Sequence, residues 1–150
     1  MTMNSLPDGW AENVQALKYR STNEQNIEFV NLIDQAEGSC DLDVCSFLMS
    51  LFVNGDDDGV LESVSSVLAS AKPTDYIEAL MAELPRLVDE NVVEWAEVMV
   101  GQAIDEHLDL IKSIVIKQSE KVKSALMLII SDSDFKDFYP DSEELEKVLR

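Results

Sequence analysis

Apolar residues recur at intervals of three and four along almost the whole chain. Tyr76, Ile77, Leu80, Met81, Leu84, Leu87 and Val88 follow this spacing, as do Leu108, Ile111, Ile114 and Val115. A period near 3.6 gathers such residues on one face of an α-helix, whereas a half-buried strand needs strict alternation. Helix breakers are scarce, with 5 Gly and 4 Pro in 150 residues. The nearest thing to a hairpin signal, Asn54-Gly55, lies between helical patterns and reads as a helix C-terminus. The expected fold class is therefore all-α. A hydrophobic content of 46% supplies a core and argues against disorder, and the length fits one all-helical domain, 1–150.

The pattern divides into helices at about 6–19 and 24–37, 41–53 and 57–70, 76–89 and 92–104, and 106–117 and 120–131, with a closing segment at 134–149. Asp57 or Asp58, Thr74, Ser119, Asp132 and Asp141 stand at the breaks as N-cap candidates. Pro73 and Pro140 fall near helix starts. Pro85 lies inside a helical pattern and should kink or split it near Leu84. A weak repeat accompanies the pairing. Val60-Leu61-Glu62-Ser63-Val64, Val92-Val93-Glu94-Trp95-Ala96 and Val122-Lys123-Ser124-Ala125-Leu126 begin the second helices of three pairs, 30 to 32 residues apart. Leu84-Pro85-Arg86-Leu87-Val88-Asp89, followed by Val92, Ala96 and Gly101, resembles a HEAT-type unit. It lacks the usual Arg after the Val, and its period is short. The expected architecture is a HEAT-like α-solenoid of stacked antiparallel helical pairs, with an irregular helical bundle as the alternative.

Charge then narrows the function. There are 30 Asp and Glu against 11 Lys and Arg, a net charge of −19. From Ser21 to Ala71 the chain holds ten acids and no Lys or Arg. From Leu87 to Ile111 it holds seven more, again with no Lys or Arg. Self-repulsion of this size destabilises a compact state, so an external role for the field is implied. Nucleic acid and anionic membranes are polyanions and are disfavoured as direct partners. The only basic cluster, Lys112, Lys117, Lys121 and Lys123, is diluted by Glu120. A basic partner fits better. In stacked pairs, the acids would form a stripe with a basic flank.

Chemistry-bearing constellations are few. Asn54-Gly55-Asp56-Asp57-Asp58-Gly59-Val60-Leu61-Glu62 matches the start of a calcium loop, but Ser65 occupies the position of the bidentate Glu. The competing reading is a short turn whose Asp residues cap the next helix. His107 is the only histidine, and its neighbours Asp105, Glu106 and Asp109 lack a ligand spacing, so it reads as a solvated helix-face residue. Cys40 and Cys45 on one helix would point about 140° apart and form no Cys-x-x-Cys pair, so they read as reduced, buried, small apolar residues. No nucleophile elbow or phosphate loop occurs. The expectation is a non-enzyme without cofactor or metal. The N-terminus lacks a charged region followed by an apolar run, and no apolar run approaches a membrane span, so a cytoplasmic protein is expected.

Binding remains. Trp95 and Glu97 stand two apart on a helix, about 200° apart around it, so one face should bury the indole and the other show the carboxylate. The plain alternative for Trp95 is core filler. Trp10 looks more exposed by pattern, lying over the first pair or marking a contact surface. Met49, Met81, Met99 and Met127 fall on apolar stripes and read as core.

The Trp95-Ala96-Glu97 motif in an all-helical acidic chain resembles an immunity-protein family of bacterial polymorphic toxin and contact-dependent growth inhibition systems, most clearly from about Ala79 to Ile130. The resemblance implies an inhibitor that binds and neutralises a cognate toxin domain. By analogy with acidic antitoxins, that toxin would be a basic nuclease. The inhibitor would be a monomer forming a heterodimer with it. Charge complementarity would speed capture, and apolar anchors would slow release. The partner-binding candidates are Asp56, Asp57, Asp58, Asp89, Glu90, Glu94, Glu97, Asp105, Glu106, Asp132 and Asp134, with Trp95 as the structural motif residue. Two rivals stay open: a small acidic HEAT-like adaptor without a toxin, and a calcium-responsive helical protein using Asn54–Ser65.

Overall fold

Side-chain caps legible in the sequence open four of the helices in the computed structural model, which describes residues 6–54 and 59–150. Among the described residues there are nine helices and no strand. The chain divides into two compact units, Met1–Tyr76 and Ile77–Arg150.

The first unit holds α1 (Trp10–Ala16), α2 (Asn23–Asp34), α3 (Leu42–Met49) and α4 (Leu61–Leu68). Thr22 opens α2 with a capping box: its hydroxyl accepts the Gln25 N–H, and the Gln25 side chain accepts the Thr22 N–H. Asp41 caps α3 by accepting from the Val44 N–H at 3.1 Å. α2 packs on α1 and α4, and α3 on α4. Their apolar stripes meet in Phe29, Ile33, Val44, Leu48, Leu61 and Val64, all fully buried.

Two expectations fail in this unit. Trp10 is 2% exposed, not a surface residue. Its indole N–H donates to the Leu32 carbonyl at 2.7 Å, and its ring meets Phe47 edge-on at 5.4 Å. With its one polar atom satisfied, the ring can be buried. Cys40 and Cys45 do not point apart either. Cys40 precedes the cap of α3 and so escapes helical geometry, and its Sγ lies 3.1 Å from that of Cys45. Both are buried free thiols.

Most of α5 (Pro73–Asp89) belongs to the second unit, with α6 (Val93–Val115), α7 (Glu120–Ile130), α8 (Ser133–Phe138) and α9 (Ser142–Leu149). α5 runs unbroken through Pro85, contrary to the expected split. Met81, Leu84 and Leu87 are fully buried on both sides of that residue, so packing holds the helix across the missing N–H. The turn after α5 places Asn91 at φ 60°. Asn tolerates this left-handed conformation better than most residues. The Val92 N–H closes the turn on the Leu87 carbonyl at 2.7 Å.

The break expected between 104 and 106 is present as a departure from helical geometry at His107 (φ −143°, ψ 46°) inside α6. His107 is thus a half-buried residue at a break, not a solvated residue on a regular helix face. The single closing segment expected at 134–149 is two helices. Tyr139 precedes Pro140 and adopts φ −125°, ψ 77°, outside the helical region that a following proline disfavours. Ser119 and Asp132 cap α7 and α8 as expected, whereas Asp141 makes no side-chain cap and Thr74 lies inside α5. α6 packs on α7 and α9, α7 also on α8 and α9. Met49, Met81 and Met99 are buried core; Met127 is half-buried.

Candidate acidic interface

Carboxylates gather at helix starts because they offset the positive end of the helix dipole and cap free N–H groups. Glu94 stands in the first turn of α6 and Asp134 in that of α8, where Asp132 is the N-cap. Glu97 follows Glu94 by three, on the same face of α6. Each position is explained locally. The tertiary structure then brings the start of α6 and the start of α8 together.

Glu97 records the consequence. Its carboxyl is held above the ordinary glutamate range, first by partial burial and then by the negative fields of Asp132, Glu94 and Asp134. Among the described residues, no Lys or Arg forms an ion pair with any of these four. Asp132 is partly engaged, accepting the Phe135 N–H at 3.1 Å.

Beside these acids runs a groove of about 260 Å³ lined by Glu97, Val98, Asp134, Phe135, Phe138 and Tyr139. Phe135 is buried and anchors α8, but Phe138 is 78% exposed and Val98 43%. Phe138, Tyr139 and Phe135 form a chain of tilted rings, with centroids 4.9 Å apart at each step. The middle ring sits on Gly101. A Cβ at that position would lie 2.2 Å from Tyr139 Cζ, so only glycine admits the ring there. Burial, followed by the field of Asp105, raises the Tyr139 phenol above its usual value. Glu94, Glu97, Val98, Gly101 and Asp105 thus follow three- and four-residue spacing along one face of α6.

The other candidates fall elsewhere. Asp89 and Glu90 line a second groove at the end of α5, with Pro85, Arg86, Ser119 and Lys121. Here a cation is supplied from within: Arg86 pairs with Glu90 at 3.0 Å and with Glu83 at 3.4 Å. Glu106 is exposed and lies 3.8 Å from His107. Asp56, Asp57 and Asp58, and with them the calcium-loop reading, lie outside the described residues. Among the described residues no three His, Cys, Asp or Glu converge as a metal site, and no helix is long and apolar enough to cross a membrane.

Trp95 and Glu97 are both half-buried. The fully buried residue between them, Ala96, continues into Met99 and Val100, so the core stripe of α6 runs between the two motif residues. Phe138, Tyr139 and Val98 were not singled out from sequence, and Gly101 only as part of the HEAT-type pattern. The available signal was Phe135, Phe138 and Tyr139 within five residues of a chain that is only 7% aromatic. No protein-family model, curated protein or solved structure matches this chain.

Proposed function

We propose that this protein is a non-catalytic inhibitor that captures a basic protein domain through the α6–α8 face, in the manner of an immunity protein neutralising a nuclease toxin. One observation carries the reading: Glu94, Glu97, Asp132 and Asp134 are gathered without a cation, beside the exposed ring of Phe138. A Lys or Arg from a partner would relieve the mutual repulsion of the carboxylates. It could also lie over the aromatic face, an arrangement favourable by about 0.5–2 kcal/mol. A nuclease domain must carry such cations to hold phosphate, so an acidic surface with an aromatic anchor competes for the same groups. The toxin assignment itself rests on the Trp95-Ala96-Glu97 resemblance and on net charge.

The test is binding to a basic toxin domain encoded upstream of the gene, measured from low to high ionic strength. Nanomolar association that weakens steeply with salt, with loss of the toxin's activity, supports the reading. An affinity flat across ionic strength removes the electrostatic mechanism. Tight binding to a basic protein that is not a toxin keeps the surface and replaces the inhibitor with an adaptor.

A further inference from the structure

We propose that Cys40 and Cys45 are a dithiol–disulfide couple at the start of α3, with Cys40 as the attacking thiol and Cys45 as the resolving one. The inference concerns the first unit alone and does not rest on the proposed partner. Its basis is the 3.1 Å separation of the two sulfur atoms, across a segment that leaves the helix between them. A disulfide requires about 2.05 Å, so closure needs a movement of roughly 1 Å. Cys40 can supply it, because it lies outside the helix and ahead of the Asp41 cap. No other cysteine exists in the chain to compete.

The two thiols are not equivalent. Cys40 is 8% exposed, whereas Cys45 is fully buried within α3. The Cys45 thiol also points toward the Cys40 carbonyl, at 3.9 Å. Hydrogen bonding with Cys45 lowers the Cys40 thiol, against burial and the fields of Asp41 and Asp75. The same bond, with burial, raises Cys45. Cys40 is therefore the sulfur that ionises first, and it is the less deeply buried of the two.

With hydrogen peroxide as oxidant, the Cys40 thiolate attacks one peroxide oxygen. The O–O bond breaks, and the leaving hydroxide takes up the proton lost from Cys40, giving a sulfenic acid and water. Cys45 sulfur then attacks the Cys40 sulfur. The S–O bond breaks, the hydroxide leaves with the Cys45 proton as a second water, and the S–S bond forms. Two thiols and one peroxide yield one disulfide and two waters.

The experiment treats the native full-length protein with hydrogen peroxide and maps the product after blocking free thiols. Asp41 and Asp43 lie between the cysteines. A protease that cuts before Asp therefore separates the two unless a disulfide joins them. The expected product has lost two hydrogens and yields one linked fragment that dithiothreitol splits. Cys45→Ser should stop at a dimedone-reactive sulfenic acid on Cys40, and Cys40→Ser should leave Cys45 unmodified while the protein is folded. Two thiols that both remain free in peroxide sufficient to oxidise dithiothreitol overturn the couple, as does a product linked only between molecules. Dimedone labelling of Cys45 in Cys40→Ser overturns the assigned order. Should Cys45→Ser fail to fold, the wild-type fragment map still decides.

Discussion

Two grooves of the second unit hold acids nominated by the same sequence reasoning, and they have opposite electrostatics. At the end of α5, Glu90 and Glu83 both pair with Arg86, and Lys121 lines the same groove as Asp89. Between α6 and α8, Glu94, Glu97, Asp132 and Asp134 meet without a cation, and the Glu97 carboxyl is raised, first by partial burial and then by the fields of the other three. The first groove carries cations of its own. The second gains by receiving a positive charge from outside. An acid's position along the chain therefore says less about partner binding than the charge of its spatial neighbours.

Charge reversal should separate the two grooves most widely. Glu97→Lys with Asp134→Lys should weaken association with the basic partner by about 100-fold or more, because like charges facing across an interface cost several kcal/mol. The same pair placed in the α5 groove, at Asp89 and Glu90, should weaken it far less. Isothermal titration of both double variants against one partner makes the comparison. Equal losses would show that only net charge matters. Glu97→Lys alone should also raise the melting temperature while it weakens binding, since it relieves repulsion within the fold.

Gly101→Ala attacks the seat of the aromatic chain. Alanine improves helix propensity by about 1 kcal/mol, but overpacking costs about 1–3 kcal/mol, and the Tyr139 ring occupies the new atom's position. A net loss of up to about 2 kcal/mol is expected in urea denaturation, with a change in Tyr139 fluorescence or NMR shifts. An unchanged ring environment would mean that Tyr139 does not depend on Gly101.

Glu97 also gives the comparison a pH signature. Its folded-state pKa is raised above the ordinary value of 4.5, so between that value and the raised one the folded state binds more protons than the unfolded state. Stability from this group is present below the ordinary pKa and is lost as pH rises through the folded one. Glu97→Gln should therefore be more stable than wild type at neutral pH, with the advantage fading toward pH 4 as the wild-type carboxyl protonates. Melting curves across that range check the sign; an advantage that grows on acidification would refute it. The smallest effect belongs to the other groove. Glu90→Gln breaks an exposed pair with Arg86 and should cost at most about 1 kcal/mol, with stability losing its salt dependence at that site.

Much of the fold was legible before tertiary contacts were considered. The three- and four-residue spacing in α5 and α6, the caps at Ser119 and Asp132, and the break near residue 105 all arise from interactions within a few residues. The split expected at Pro85 and the exposure expected of Trp10 were misread because packing overrode the local rule in each. Pro85 is held by buried neighbours, and Trp10 by a carbonyl 22 residues away. The cysteine pair was given helical geometry although Cys40 precedes the Asp41 cap, an error of local boundary.

The candidate site divides in the same way. Glu94, Glu97, Asp132 and Asp134 were legible as acids at helix starts, where the dipole and the free N–H groups reward them whatever the fold. Their convergence was not, because the two pairs are more than thirty residues apart in the chain. Nor was the fit of Tyr139 against Gly101, which depends on how closely two segments approach. The sequence alone determined an all-helical chain with a large negative charge, since periodicity and composition are local or additive properties. Only the tertiary structure decided which charges are neutralised from within and which remain open beside Phe138, because electrostatic pairing depends on distances set by packing.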